Sequence, residues 1–415
     1  MPLKVIVVGA GLGGLGAAIA LNRAGHQVQV IEKSSFLNEV GAAIHVAPNA
    51  TRILKAWQCN LDLLQPVQCE TLQVWDAMGN HVRTPIVTEE QQRALKVDDE
   101  WVLTHRGRHP IVIPGNVGGK YPVTQYFLTT NPSKYVQDAE AGEVVLEDGT
   151  KYVADLIVGA DGVHSRSVRA IARTDRGSVR TGQNCYRFLV PVEKMQDNPL
   201  TAKLLAKINL NGVHVFATRD RRLVMYPCRK GKLLNVAGIY PSTSETDTPG
   251  DAAWHNAGSV DQLLETFSGF SEELREMCRL AEDVKLWSLA SRDPAPIFVR
   301  GKLALIGDAA HPMLPHQGQG AAQAFEDAAA LAGVMTADTT VEQISQRLGL
   351  YNKLRYGHAV TVMMMSRTND ERRAEMLDEL RRYVPDAEVP KDMFTYTWPS
   401  EPIKEAAQLV EAAMA

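Results

Sequence analysis

Short runs of β-branched residues punctuate the chain, alternating with longer stretches whose apolar positions suit helices. The first run, Lys4-Val-Ile-Val-Val8, is apolar on both faces, as in a buried parallel strand. Gly9-Ala-Gly11-Leu-Gly-Gly14 follows at once. A helix-forming stretch, Leu15 to Arg23, ends at Ala24-Gly25, and His26 to Ile31 reads as a second strand ending at Glu32. Strand, GxGxxG, helix, strand and acid, in that order, make a complete dinucleotide-binding unit. Gly9 allows the tight turn, Gly11 lets backbone approach a pyrophosphate, and Gly14 lets helix and strand pack closely. The helix amino end favours negative charge. Glu32 follows Gly11 at the spacing where a carboxylate takes ribose hydroxyls.

Two more strand-like runs end in acid-bearing turns. Tyr152 to Val158 leads into Gly159-Ala-Asp161-Gly162, and Lys302 to Ile306 leads into Gly307-Asp308-Ala-Ala-His311-Pro312. Pro315-His-Gln-Gly318-Gln319-Gly320 and a long Ala-rich helix carrying Glu326-Asp327 come next. A carboxylate at a strand's carboxyl end is placed for sugar hydroxyls in the crevice of an open sheet. From about Ser178 to Trp287 the pattern changes to short alternating runs: Tyr186 to Val192, Gly212 to Ala217, Arg222 to Tyr226 and Leu233 to Tyr240. These predict a mainly antiparallel sheet over the nucleotide unit. Ile344 to Ser366 reads as a helix. The mixed charges of Asn369 to Arg382 read as a solvated helix face, and Pro402 to Met414 as a last amphipathic helix.

Composition narrows the class. The 415 residues are 45% hydrophobic and 22% charged, with a formal charge of −4. That balance excludes disordered, collagenous and disulfide-scaffold chains and suggests no polyanion-binding surface. The five cysteines form no CxxC pair and fit reduced thiols in a cytoplasmic, soluble intracellular protein. Val5 to Leu21 carries five glycines, so it is built as neither a signal core nor a membrane span. His311 and His316 lie five apart on a proline-broken loop, and no metal site is expected there. Met363-Met-Met365 reads as core filling.

The three motifs, in this order and spread, resemble the class A FAD-dependent aromatic monooxygenases of the para-hydroxybenzoate and salicylate hydroxylase type. The segment Glu39 to Leu54, with Gly41-Ala42-Ala-Ile-His45-Val-Ala-Pro48-Asn49, is similar to the flavin-passing stretch of fungal salicylate-hydroxylase-like members. The resemblance implies an α/β fold: a Rossmann-like FAD-binding domain with an interleaved antiparallel substrate domain and C-terminal helices. The corresponding division is residues 1–70, 100–177 and 288–335 for FAD, 71–99 and 178–287 for substrate, and 336–415 for the helical region.

It further implies that Gly9, Gly11, Gly14, Glu32, Lys33, Gly41, Ala42 and His45 contact FAD. Arg106 approaches the flavin side chain, and Asp161 and Gly162 lie near the pyrophosphate and the path of the nicotinamide cofactor. Asp308 bonds the ribityl chain, while Pro312, Pro315, Gly318, Gln319 and Gly320 line the isoalloxazine. The implied activity is NAD(P)H-consuming and O2-dependent hydroxylation of a phenolic or related aromatic molecule through a flavin C4a-hydroperoxide. Electrophilic oxygen transfer favours a phenolate, and Arg187 and Tyr226 stand where relatives place groups that stabilise one. The bland alternative is that Arg187 pairs with a carboxylate and Tyr226 packs beside Pro227.

Other readings stay open. The same fold serves epoxidation, oxidative dearomatisation or C=C reduction, and a non-catalytic nucleotide-binding protein is the rival from another class. FAD attached covalently through His45 stands beside ordinary non-covalent contact, and a homodimer beside a monomer. Nucleic acid is not an expected partner. One stretch departs from the family. Gly107 to Pro122 holds three prolines and four glycines where relatives continue with a helix, which puts the role of Arg106 in question.

Overall fold

The structure, a computed structural model, describes residues 1–32, 43–105, 124–127, 135–172, 177–242, 255–368 and 370–414. Its nucleotide sheet has six strands in the order Val299–Arg300, Leu303–Leu305, Leu156–Gly159, Lys4–Val8, Gln27–Glu32, Thr124–Phe127. All neighbours are parallel except the first pair. The β-branched runs sit here because strands covered on both faces must be apolar on both. Val7, Val30 and Val158 are fully buried in one cross-strand row. Helices Leu12–Arg23 and Gly320–Val334 pack together across this core.

The second large sheet, the roof, has eight strands: His255–Ala257, Glu282–Ser291, Val179–Pro191, Leu233–Pro241, Arg222–Cys228, Gly212–Ala217, Thr71–Asp76 and His81–Val87. It is antiparallel as the alternation predicts, except where Gly212–Ala217 runs parallel to Thr71–Asp76. That pair joins segments distant in sequence, so local periodicity carries no sign of it.

Period-2 alternation gives the roof two faces. Tyr186, Phe188, Leu223, Met225, Leu234 and Val236 point outward into a core shared with helices Pro199–Lys207, Val260–Thr266 and Glu272–Arg279. Cys185, Ile239 and Leu289 point inward, against Leu314 of the loop after the third nucleotide strand. Between roof and nucleotide sheet lies a small sheet of Ala43–Val46, Val102–His105 and Val67–Gln68.

At the carboxyl end, helices Ile344–Met365 and Pro402–Met414 pack on Gly320–Val334, and Met363, Met364 and Met365 are fully buried. The charged stretch between these two helices departs from the single solvated helix expected. It forms a 3-10 segment, Asp370–Met376, and a short helix, Leu377–Arg381. Arg373 is pulled inward to donate to the carbonyls of Pro390 and Lys391, a long-range demand that i,i+4 charge spacing does not reveal.

Candidate active site

The glycine turn is shaped by contact. Gly9 has φ +104°, and a Cβ there would lie 2.3 Å from the carbonyl oxygen of Ala160; a Cβ on Gly14 would lie 1.9 Å from that of Gly9. A Cβ on Gly11 would meet nothing within 4 Å, so that peptide faces open space at the amino end of helix Leu12–Arg23. No side chain caps this helix end. Glu32 lies across the turn, its carboxylate accepting from the backbone N–H of Ala10 at 2.6 Å. A bare helix amino end, an open glycine and an adjacent carboxylate fit the pyrophosphate and ribose of a dinucleotide.

The second and third motifs divide their labour differently from expectation. Asp161 lies against this turn through its backbone, 3.1 Å from the Gly9 Cβ position. Its carboxylate, however, turns into its own loop, accepting from Ser165 Oγ at 2.6 Å and from the N–H groups of Arg166 and Ser167. It holds the turn leading into helix Ser167–Ala172, where first-turn N–H groups need an acceptor, a geometry different from one that offers oxygens to a sugar. Asp308, by contrast, is exposed. Arg292 ties the two motifs together, donating to the carbonyls of Val163, Asp308 and Ala309. Burial lowers it to about 10 against the upward pull of Asp161 and Asp308, so it stays charged at neutral pH.

Beneath the third motif lies a buried ionic network. Asp327 accepts from Gly307 N at 2.8 Å, His311 Nε2 at 2.5 Å and Arg355 Nε at 2.8 Å. Glu326 accepts from Arg355 Nη1 at 2.6 Å, Asn49 Nδ2 at 2.5 Å and Ser400 Oγ at 3.0 Å. Asn49 also donates to Gln319. One helix thus fixes three turns: that of Pro48-Asn49, that of Gly307, and the approach to Gly318 to Gly320. His311 and His316 do not converge, since His316 donates from Nε2 to Gln183 of the roof at 3.1 Å.

His45 stands between the small sheet and the Gly318 turn. Its Nδ1 accepts from the indole N–H of Trp101 at 3.2 Å, and burial lowers its pKa to about 4. The neutral ring therefore carries its proton on Nε2. That nitrogen points at Gly318, where a Cβ would fall 1.5 Å from it. The Tyr226 hydroxyl donates to the Ala43 carbonyl at 2.7 Å, and Asn235 Oδ1 accepts from the Ala43 N–H at 3.1 Å. Tyr226 is thereby a positioning residue: its one proton is used on the backbone, in place of the phenolate contact expected of it. Burial raises its pKa.

Farther along the inner face of the roof, the Arg187 guanidinium lies over the Trp287 ring, 5.3 Å from its centroid. It has no carboxylate partner among the described residues, unlike the ion pair of the bland alternative. Pro312 is buried in the loop below, with Pro315, Gln319 and Gly320 following it. A Cβ on Gly162 or on Gly320 would meet nothing within 4 Å, so both face open space. Lys33, Gly41, Ala42, Arg106 and the Gly107 to Tyr121 stretch lie outside the described residues.

Sequence reasoning missed Arg292, Asn235, Trp101 and the Glu326–Arg355 pair. The Ser291-Arg292-Asp-Pro294 stretch, where the last roof strand ends and the chain returns toward the third motif, was the one visible hint of Arg292.

Comparison with known proteins agrees with this geometry. An FAD-binding domain model matches residues 129–366, over half of the chain, and a second FAD-binding domain model matches residues 4–51. Hispidin-3-hydroxylase of Neonothopanus nambi is 33% identical over 86% of this chain and 86% of its own length. Among solved structures, a salicylate hydroxylase substrate complex superposes over 100% of this chain and 99% of its own at TM-score 0.75 and 23% identity. CtdE in complex with FAD and a substrate superposes over 100% of both chains at TM-score 0.77 and 21% identity. The chain belongs to the FAD-dependent monooxygenases of the class A aromatic type, and it is a flavoprotein monooxygenase using FAD, NAD(P)H and O2.

Proposed function

We propose that this monooxygenase hydroxylates a phenolic or related electron-rich aromatic small molecule. The observation that carries the reading is the apposition of a flavin-type loop, Pro312 to Gly320, whose Leu314 packs against the roof, with a roof face that presents Arg187 unopposed by acid among the described residues. A cation near the ring oxygen favours its ionised form and so raises the electron density of the ring.

In this reading Gly11 and Glu32 receive the ADP half of FAD, and Asp308 receives the ribityl chain. Arg292 supports the peptide groups between them. Pro312, Pro315 and Gly318 to Gly320 line the isoalloxazine, and backbone N–H groups at the start of helix Gly320–Val334 favour negative charge there. His45 contributes a neutral Nε2–H donor beside the Gly318 turn. Bound FAD supplies electron transfer from NAD(P)H to O2 and the activation of the oxygen that is transferred. The protein's part is to hold the aromatic ring under the roof, keep its oxygen charged at Arg187, and exclude water.

Because Nε2 of His45 carries the proton, it lacks the lone pair that attack on the flavin methyl would need, which favours non-covalent FAD. The test is a phenol panel scored by substrate-stimulated NAD(P)H oxidation under 18O2. A product gaining one 18O atom is expected; a product reduced without labelled oxygen would overturn hydroxylation.

A further inference from the structure

Residues 393–400 form one short helix, Met393–Thr397, and the turn that follows it. They stand far along the chain from every cofactor motif, yet they are anchored beside two of them. Trp398 is fully buried, its ring edge-on to Trp101 at 5.6 Å between centroids. Phe394 lies edge-on to Trp398 at 5.6 Å and tilted toward Trp101 at 6.1 Å, which closes the cluster. Trp101 is the residue whose indole N–H holds Nδ1 of His45, and His45 lies on the Gly318 turn. Trp398 and Phe394 bound the Trp101 ring, so its N–H stays aimed at His45.

A second branch leaves the same segment. Ser400 Oγ donates to Glu326 Oε2 at 3.0 Å, the oxygen that Arg355 also holds. The other oxygen of Glu326 accepts from Asn49 Nδ2, which donates in turn to Gln319. Arg52, on helix Pro48–Ala56, bolts the segment in place. Its Nη1 donates to the carbonyls of Trp398 at 3.2 Å and Ser400 at 2.5 Å, while Nε pairs with Asp99 at 2.8 Å. Between the anchors, Tyr396 stacks on His358 at 4.7 Å, beside Glu326. The two branches therefore end on consecutive residues, Gly318 and Gln319.

We propose that residues 393–400 are a positioning clamp for the cofactor. Trp398 acts on the flavin-lining turn through Trp101 and His45, and Ser400 acts on it through Glu326 and Asn49. The proposal rests on the reading that Gly318 to Gly320 line the isoalloxazine, and it adds the residues that keep that turn in its binding geometry. A turn rich in glycine loses much freedom when it is ordered. Ordering it before the cofactor arrives removes that cost from binding. Trp398 Nε1 has no hydrogen-bond partner among the described residues, so Trp398 contributes shape alone and Trp398→Phe removes packing without breaking a bond.

The test follows FAD release from the loaded, full-length protein by free-flavin fluorescence in the ultrafiltrate, with visible circular dichroism of the bound flavin beside it. Trp398→Phe and Ser400→Ala are each expected to release FAD about five- to tenfold faster. Ser400→Thr, which keeps the hydroxyl, should restore most of the loss. Because Trp398 acts through Trp101, Trp398→Phe should add little in a Trp101→Phe background. Leu274→Ala is the control for stability: it empties a fully buried position on the outer face of the roof, away from both branches. It should lower the melting temperature and leave FAD release and the dichroism unchanged. Unchanged release in either clamp variant, additive losses with Trp101→Phe, or equally fast release from Leu274→Ala would overturn the clamp. Fast release from Gly318→Ala beside unchanged clamp variants would sink the clamp alone. Unchanged release from Gly318→Ala would sink the placement of the flavin, and the clamp with it.

Discussion

The hydroxyl of Tyr226 and the amide of Asn235 take both polar atoms of one residue's backbone, that of Ala43, and pin the flavin-side strand to the roof. Tyr226→Phe leaves a buried carbonyl without its donor, and a loss of about 1–3 kcal/mol is expected from urea unfolding. Substrate binding should shift less than in Arg187→Met; a larger shift than that variant shows would return Tyr226 to the substrate. His45 is held in one tautomer by Trp101, which bears on cofactor attachment. Acid precipitation of the yellow protein is expected to leave the flavin in the supernatant, whereas colour retained in the denatured pellet would establish a covalent bond. Gly318, at φ +60° against His45, tolerates no side chain, so Gly318→Ala should lower FAD retention on gel filtration.

At the scale of elements, helix Gly320–Val334 is where chemistry and packing meet. Its Ala-rich surface was readable as buried, and Glu326-Asp327 was visible as an acidic pair, but nothing nearby in sequence announced Arg355 or His311 as partners. Both acids are fully buried against Arg355, and that guanidinium, with His311 beside Asp327, offsets the cost of holding them in the core. Arg355→Met should destabilise the protein by about 3–5 kcal/mol in denaturant melts, and a loss below about 1 kcal/mol would refute the account. Burial pushes Asp327 upward, but the His311 and Arg355 charges outweigh it and hold its carboxyl below the ordinary range. Its stabilising contribution is therefore complete above the unfolded value, about 3.9, and is lost as pH falls through the lower folded one. The stretch 370–381 teaches the same lesson from the other side: its charges fit a solvated helix, and Arg373 is drawn inward by carbonyls far along the chain.

For the whole molecule, the nucleotide sheet is assembled from segments at 4–8, 27–32, 124–127, 156–159 and 299–305, so it closes only when both ends of the chain have met. Four histidines, His45, His214, His316 and His358, are pushed by burial from 6.5 to about 4, 4, 3 and 4. Each takes up its proton more readily unfolded than folded. Their contribution is full above about 6.5 and drains away as pH falls toward about 4, so melting temperature should drop between about pH 7 and about pH 5. A flat profile over that window would contradict their burial. Among the described residues no helix is long and apolar enough to cross a membrane.

The sequence alone determined the strands, the glycine turn and the class of cofactor, because β-branched runs, glycine spacing and strand-end acids are local consequences of backbone geometry. Only the tertiary structure decided that Asp161 turns inward while Asp308 faces out, that Tyr226 binds backbone, and that Arg292 ties the second and third motifs together. Those outcomes depend on which distant groups compete for each donor and acceptor, and burial sets the energy of that competition.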